Sequence, residues 1–258
     1  MSKFDLSIVL PGIRHHNWKI LYDSAVAAIG EYSFEMIIVG PGEIPAELKE
    51  VDNFSFYQDY GAPARAAQIG VSHATGRYIT WASDDGVFIG NSLSEAVTVL
   101  EEASTPKCGV VMRYSEGNNF PDNSYWTAWT HADLRLPGVP KDYQIAPVAM
   151  YDLAYFKELG GWDCRYEHLN MCNHDLAFRF QNDGGYFSLS PSEVLRCTWD
   201  IHSAEWAPVG RAYRENDLPL WNSMYSQDQS SRIKIDFENW KVSPKVWEKR
   251  FGEEHVQN

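Results

Sequence analysis

Two adjacent carboxylates, Asp84 and Asp85, follow Ser83 at the end of a β-prone run, Tyr78-Ile79-Thr80-Trp81. A buried strand that ends this way must deliver its charges to water, to cations or to hydrogen-bond donors, because an unpaired charge away from water is costly. At the C-terminal edge of an open α/β sheet, such a pair faces the crevice where ligands bind. The chemistry it suits is capture of a hard divalent cation. Mg2+ or Mn2+ held by one or two carboxylates usually shares its shell with a phosphate. Asp-Asp-Gly is also an ordinary turn sequence; the helix and strand that precede it favour a site over a plain turn.

Those carboxylates need ordered elements to carry them. Upstream, Ala64, Ala67, Val71 and Ala74 recur at helical spacing, with Pro63 near the first turn, and Gly76 stops the series. Residues 7 to 10 form a short apolar run closed by Pro11-Gly12, which predicts a buried first strand. A helical stripe of Trp18, Leu21, Ala25 and Ile29 follows and ends at Gly30. Residues 34 to 39 predict a second strand, broken by Gly40-Pro41-Gly42, and 54 to 57 a short third. Ser92-x-x-Glu95 reads as a capping box opening a helix striped by Leu93, Ala96, Val97 and Leu100. Residues 108 to 112 predict another strand. From 115 to 144 the pattern has no period, and a loop of that length inside a compact domain is more often functional than idle. A strand at 145 to 150, an Asp152-capped helix, a helix from near Asn173 to Gln181 and a last strand at 186 to 189 complete the series. Strands and helices alternating at short spacing call for an α/β fold: a single, mainly parallel twisted sheet with helices on both faces.

The order of parts resembles the family 2 glycosyltransferases and their GT-A fold. The resemblance lies in the opening strand and proline (6 to 11), the second strand (34 to 39), and Ala74-Thr75-Gly76-Arg77-Tyr78-Ile79 running into an Asp-rich turn. A fourth part is GGWDCRYEHLNMCNHDLAFRFQNDGG (160 to 185), which is similar to the family's acceptor-side motif. It implies a GT-A domain over residues 1 to 205 and a C-terminal extension, 206 to 258, packed on or near the acceptor side. It also implies a nucleoside diphosphate-sugar donor, a glycan or other hydroxyl-bearing acceptor, and Mn2+ or Mg2+ as cofactor. Aligned with the family's strand-end pattern, Ser83 takes the position that touches ribose or base. Asp85 takes the one that reaches the metal, and Asp84 stands between them, facing ribose or solvent. His202, in Trp199-Asp200-Ile201-His202, is the implied second metal ligand, and neutral imidazole suits Mn2+ better than Mg2+. Pro11, Gly12 and Ile13 are placed to line a base pocket through backbone groups, and Gly40 is a further candidate nucleotide contact. Gly40-Pro41-Gly42-Glu43 stands where relatives carry Asp-Asp-Gly-Ser, so the acidic base contact is absent. Arg65 and Gln68, on the helix face opposite the alanine stripe, reach toward pyrophosphate or ribose, or else form a solvated face. An inverting transfer needs a carboxylate to take the acceptor proton. The usual position for it holds Asn173, which leaves Asp175 or Glu167 for the role.

Composition narrows the partners. The formal charge of −13 argues against nucleic acid or an anionic membrane, both of which demand clustered Lys and Arg. The four cysteines form no C-x-x-C pair, and Cys172 with His174 finds no second close-spaced pair to complete a zinc set. Free thiols in a reducing compartment follow. No apolar run approaches membrane-spanning length and the first residues, MSKFDLSIVL, are too short and charged for a signal peptide, so a cytoplasmic protein is expected. The ten tryptophans suit either sugar-stacking surfaces or an aromatic core. Two rival functions remain. A sugar nucleotidyltransferase would show a Gly-rich, basic loop after the first strand, where this chain has Pro11-Gly12-Ile13-Arg14-His15-His16. A degenerate, non-catalytic binder of glycan or partner is favoured by Asn173 and by Gly40-Pro41.

Overall fold

The computed structural model describes residues 2–116, 125–126, 129–130, 143–197, 210–225 and 231–243. Its first half alternates as expected: β1 (Phe4–Pro11), α1 (His15–Ala28), β2 (Phe34–Gly40), β3 (Phe54–Gln58), α2 (Pro63–His73) and β4 (Gly76–Trp81). A short β5 (Gly86–Phe88), α3 (Ser92–Glu102) and β6 (Cys108–Glu116) follow. Beyond them lie two-residue β7 (Tyr125–Trp126), β8 (Trp129–Thr130) and β9 (Gln144–Ile145), then β10 (Ala149–Asp152), α4 (Leu153–Glu158), α5 (Leu169–Asn182) and β11 (Tyr186–Cys197). The main sheet runs β3-β2-β1-β4-β10-β6-β11-β5, with β7 on β6. The first four strands are parallel. β10 is antiparallel to both its neighbours, so the sheet changes character after β4.

Both faces of the sheet are covered, which is why its strands read as continuous apolar runs rather than alternating ones. Val9, Ile37, Val39 and Ile79 pack with α2, α4 and α5 on one face. Leu6, Ile8, Leu10, Met36, Ile38 and Tyr78 pack with α1 and α3 on the other. Pairs such as Ile8 with Met36 and Val9 with Ile37 lie in register across β1 and β2, so each face is continuous.

Some local expectations change. Asp152 caps α4 as expected, its Oδ1 accepting from the Tyr155 amide at 2.9 Å. The capping box does not form: Asn91 holds the N-cap position of α3 without a side-chain bond, and the Ser92 hydroxyl donates to the Val194 carbonyl at 3.2 Å. Ser92 is buried against β11, and its side chain is turned to that strand's carbonyl, one position inside the helix rather than at its cap. α5 starts at Leu169, earlier than expected, and β11 is longer, carried past Leu189 by register shifts against β6.

After β11 the described chain resumes with a turn of π-helix, Tyr213–Asp217, and α6 (Leu218–Tyr225). Trp221, Met224 and Tyr225 join the α2–α5 face of the core. Residues 231–243 cross the same side: the Ile235 amide donates to the Leu159 carbonyl at 3.2 Å and Asn182 Nδ2 to the Arg232 carbonyl at 2.8 Å. Most of the 115–144 loop, and Trp199 to His202 with it, lie outside the described residues. All four cysteines are buried and free. Among the described residues no helix is long and apolar enough to cross a membrane.

Candidate functional site

β4 ends at Trp81, and the next residues bring Ser83, Asp84 and Asp85 to the C-terminal edge of the parallel strands, beside the loop between β1 and α1. Asp84 is bound to that loop. Its Oδ2 accepts the backbone N–H groups of Ile13 and Arg14, both at 2.7 Å, and its Oδ1 accepts Arg14 Nη1. Its three donors hold Asp84 as the clasp between β4 and the β1 loop. Asp85 lies beside it. Its Oδ1 accepts the Ser83 hydroxyl and stands 3.9 Å from Arg14 Nη1. Arg14 was not singled out from the sequence; its signal was the basic residue following Pro11-Gly12-Ile13, one loop away from two carboxylates.

The glycines of this edge serve packing. A Cβ at Gly40 would fall 2.0 Å from the Gly12 carbonyl oxygen, and one at Gly12 would fall 2.5 Å from Ile38 Cγ2 and 2.8 Å from the Trp18 ring. Both are buried, so the ends of β1 and β2 close on each other over Trp18, while Pro11 and Ile13 stay partly exposed on the rim.

Arg65 and Gln68 are turned away from the role expected of them. Arg65 is buried, pairs with Asp59 through Nε at 3.0 Å and Nη2 at 3.1 Å, and donates to the Trp240 carbonyl. Gln68 is fully buried, its Nε2 donating to the carbonyls of Gly160 (3.1 Å) and Phe237 (2.9 Å) and its Oε1 accepting the Trp162 amide at 2.9 Å. The physical reason is that the helix face opposite the alanine stripe is roofed by residues 237 to 243, so its polar groups bond protein instead of ligand or water.

Across from β4, α5 carries Asn173 to within one shared hydrogen-bond acceptor of that strand. The Pro147 carbonyl takes both Asn173 Nδ2 (2.8 Å) and Trp81 Nε1 (2.8 Å), while Asn173 Oδ1 accepts Trp162 Nε1 at 2.7 Å. Asp175 is fully buried: Oδ2 accepts Arg179 Nε at 2.7 Å, and Oδ1 accepts the Tyr225 hydroxyl at 2.6 Å and Arg232 Nη1. Fully buried and taken by three protein donors, Asp175 has no opening to an acceptor hydroxyl, so it departs from the role expected of it. Glu167 sits just ahead of α5, its carbonyl accepting from the Ala64 amide at 3.4 Å and its amide donating to Asp217 Oδ1 at 2.8 Å. Asp217 also accepts the His168 amide at 2.8 Å; burial pushes its carboxyl up to about 6, against the lowering effect of those amides.

Whether a divalent ion fits turns on the donor set. Among the described residues no three His, Cys, Asp or Glu side chains gather into a cage, and His202 lies outside them. One carboxylate, Asp85, oriented by a hydroxyl at the sheet edge and largely buried, matches an ion that takes its remaining ligands from phosphate and water.

No protein-family model matches the chain. It is 22% identical over 153 residues to an uncharacterized glycosyltransferase of Rickettsia conorii, covering 56% of this chain and 24% of that protein. It is 25% identical over 105 residues to an uncharacterized glycosyltransferase of Rickettsia bellii, covering 38% and 15%. The chain thus spans a quarter or less of the curated relatives it matches. Among solved structures, S. aureus TarS 1-349 in complex with UDP superposes with a TM-score of 0.57 at 13% identity, over 87% of this chain and 70% of that one. GalNAc-T7 with UDP, GalNAc and Mn2+ gives a TM-score of 0.53 at 12% identity, over 96% and 58%. The architecture is the expected mixed α/β fold, and it matches the GT-A glycosyltransferases TarS and GalNAc-T7.

Proposed function

We propose that the chain is a glycosyltransferase that moves a sugar from a nucleoside diphosphate to an acceptor hydroxyl, with inversion and with a divalent ion at Asp85. The observation that carries this is the carboxylate pair at the end of β4, held against the β1 loop at the sheet edge of a GT-A fold. The names of the rickettsial relatives support the activity, and the UDP and Mn2+ in the neighbours' structures support the donor class and the ion. In this reading Pro11 and Ile13 line the base, Ser83 orients Asp85, and His202 adds a ligand. The ion, when bound, offsets charge on the departing diphosphate. Glu167 takes the acceptor proton, Asp175 being committed to Arg179 and Arg232. Residues 206 to 258 belong to the acceptor side.

A thermal-shift screen of sugar nucleotides with and without Mn2+ tests the reading, since a donor raises the melting point by mass action. One sugar nucleotide should stabilise the protein only with metal, and Asp85→Ala should abolish both that shift and sugar transfer. Transfer and metal-dependent binding that survive Asp85→Ala would overturn it. Asn173 favours a second reading, a non-catalytic member that binds glycan or a partner. Its amide is fully engaged at the position where a base is usual. Calorimetry showing glycan binding but no sugar-nucleotide binding would decide for that reading.

A further inference from the structure

We propose that Arg14 is a built-in counter-charge of the carboxylate pair, which makes divalent-ion binding at Asp85 conditional on a diphosphate ligand. The inference rests on the donor-site reading above and adds a residue to it. Arg14 Nη1 ion-pairs with Asp84 Oδ1 and lies 3.9 Å from Asp85 Oδ1, so one guanidinium faces both carboxylates. The side chains of Asp84 and Asp85 are 4% and 7% exposed and that of Arg14 23%, so salt screens this cluster much less than it would a surface pair. The loop cannot simply drift away, because the Ile13 and Arg14 amides are themselves bonded to Asp84 Oδ2 at 2.7 Å. The guanidinium is thus held at the site by its own backbone.

Arg14 offsets part of the charge of the two carboxylates, and an entering divalent ion meets a cation already near Asp85. Both effects lower the affinity of the ligand-free protein for metal. A diphosphate reverses them. Its oxygens give the guanidinium fork a bidentate partner and give the ion the rest of its shell. Arg14 thereby couples the two ligands: metal alone is disfavoured, and metal with nucleoside diphosphate is accepted.

The test is Mn2+ binding to the full chain, followed by electron paramagnetic resonance, with and without UDP. Wild type, Arg14→Gln, Arg14→Lys and the double variant Arg14→Gln/Asp85→Asn are compared after circular dichroism confirms folding. Without UDP, Arg14→Gln should bind Mn2+ at least about tenfold more tightly than wild type, the scale expected when a unit charge that close is removed. Arg14→Lys, which keeps the charge, should stay near wild type, and the double variant should lose the gain. UDP should tighten Mn2+ binding to wild type by about tenfold or more, and to Arg14→Gln by clearly less. Equal Mn2+ affinities for folded wild type and Arg14→Gln without UDP, with UDP binding intact, would overturn the role of Arg14 and leave the donor site standing. If no variant bound Mn2+ or UDP in any combination, the donor-site reading itself would fall, and this inference with it.

Discussion

Asn173 and Asp175, two residues apart on α5, do opposite kinds of work with similar side chains. Asn173 uses both ends of its amide, donating to the Pro147 carbonyl and accepting from Trp162 Nε1. Asn173→Asp would restore the acid usual in the motif, yet it would turn a carboxylate oxygen onto the Pro147 carbonyl and lose the donor. A cost of about 1–3 kcal/mol is expected, read as a lower urea midpoint. Asp175→Asn should cost more, about 3–5 kcal/mol by the same measurement, because Arg179 would be left as a buried cation facing a neutral amide and Arg232 would keep only Asp163. Both positions could be counted out from the motif spacing. Their partners could not: Arg232 and Tyr225 reach Asp175 from 57 and 50 residues away, and no local pattern encodes that meeting. The same holds for Asp84, whose clasp on the β1 loop spans 70 residues.

At the scale of elements, hydrophobic spacing gave the strands and helices of the first half because each is buried on a face set by its own period. What spacing could not supply is how closely two elements approach. Gly40 was legible as a strand break, while its contact with Gly12 depends on β1 and β2 closing at one point. Gly40→Ala tests that contact: its Cβ would meet a backbone oxygen at 2.0 Å, which no side-chain rotation can relieve. Loss of about 2 kcal/mol or more is expected from such overpacking, measured by urea unfolding. Caps behave similarly. Asp152→Ala should cost about 1 kcal/mol because its bond to the Tyr155 amide is the local one that sequence predicts. The helix face of Arg65 and Gln68 was read as solvated or ligand-facing because the 3.6 period shows only that it is polar. The roof formed by Phe237 and Trp240 comes from the far end of the chain.

Over the whole molecule, acid should act through groups gathered around α5. Burial lowers His168 to about 4 and His174 to about 3, and the Nδ1 atoms of both are buried without a hydrogen-bond partner among the described residues. A histidine lowered in the folded state stays neutral while the unfolded chain, near 6.5, takes up a proton, so stability falls as pH drops below about 6.5. Asp217 opposes this. Its raised carboxyl, at about 6, binds a proton in the folded state first, which adds stability as pH falls from about 6 toward the ordinary carboxyl value of 3.8. Asp163 enters last. Burial pushes it up, but the Arg165 hydrogen bond and the Arg232 charge outweigh that and hold it at about 2, so its contribution is lost only below 3.8. Between pH 7 and 4.5 His168 and His174, joined by His73, which burial also lowers, oppose Asp217, and the net sign is a loss. Buried His174 contributes on the order of 2 kcal/mol over that span, and half-buried His168 less. His174→Gln removes one titration and should shrink the difference in urea midpoint between pH 7 and 4.5, whereas Asp217→Asn should enlarge it. A wild-type protein equally stable at both pH values, with neither variant changing the difference, would show that these groups titrate alike in the folded and unfolded chain.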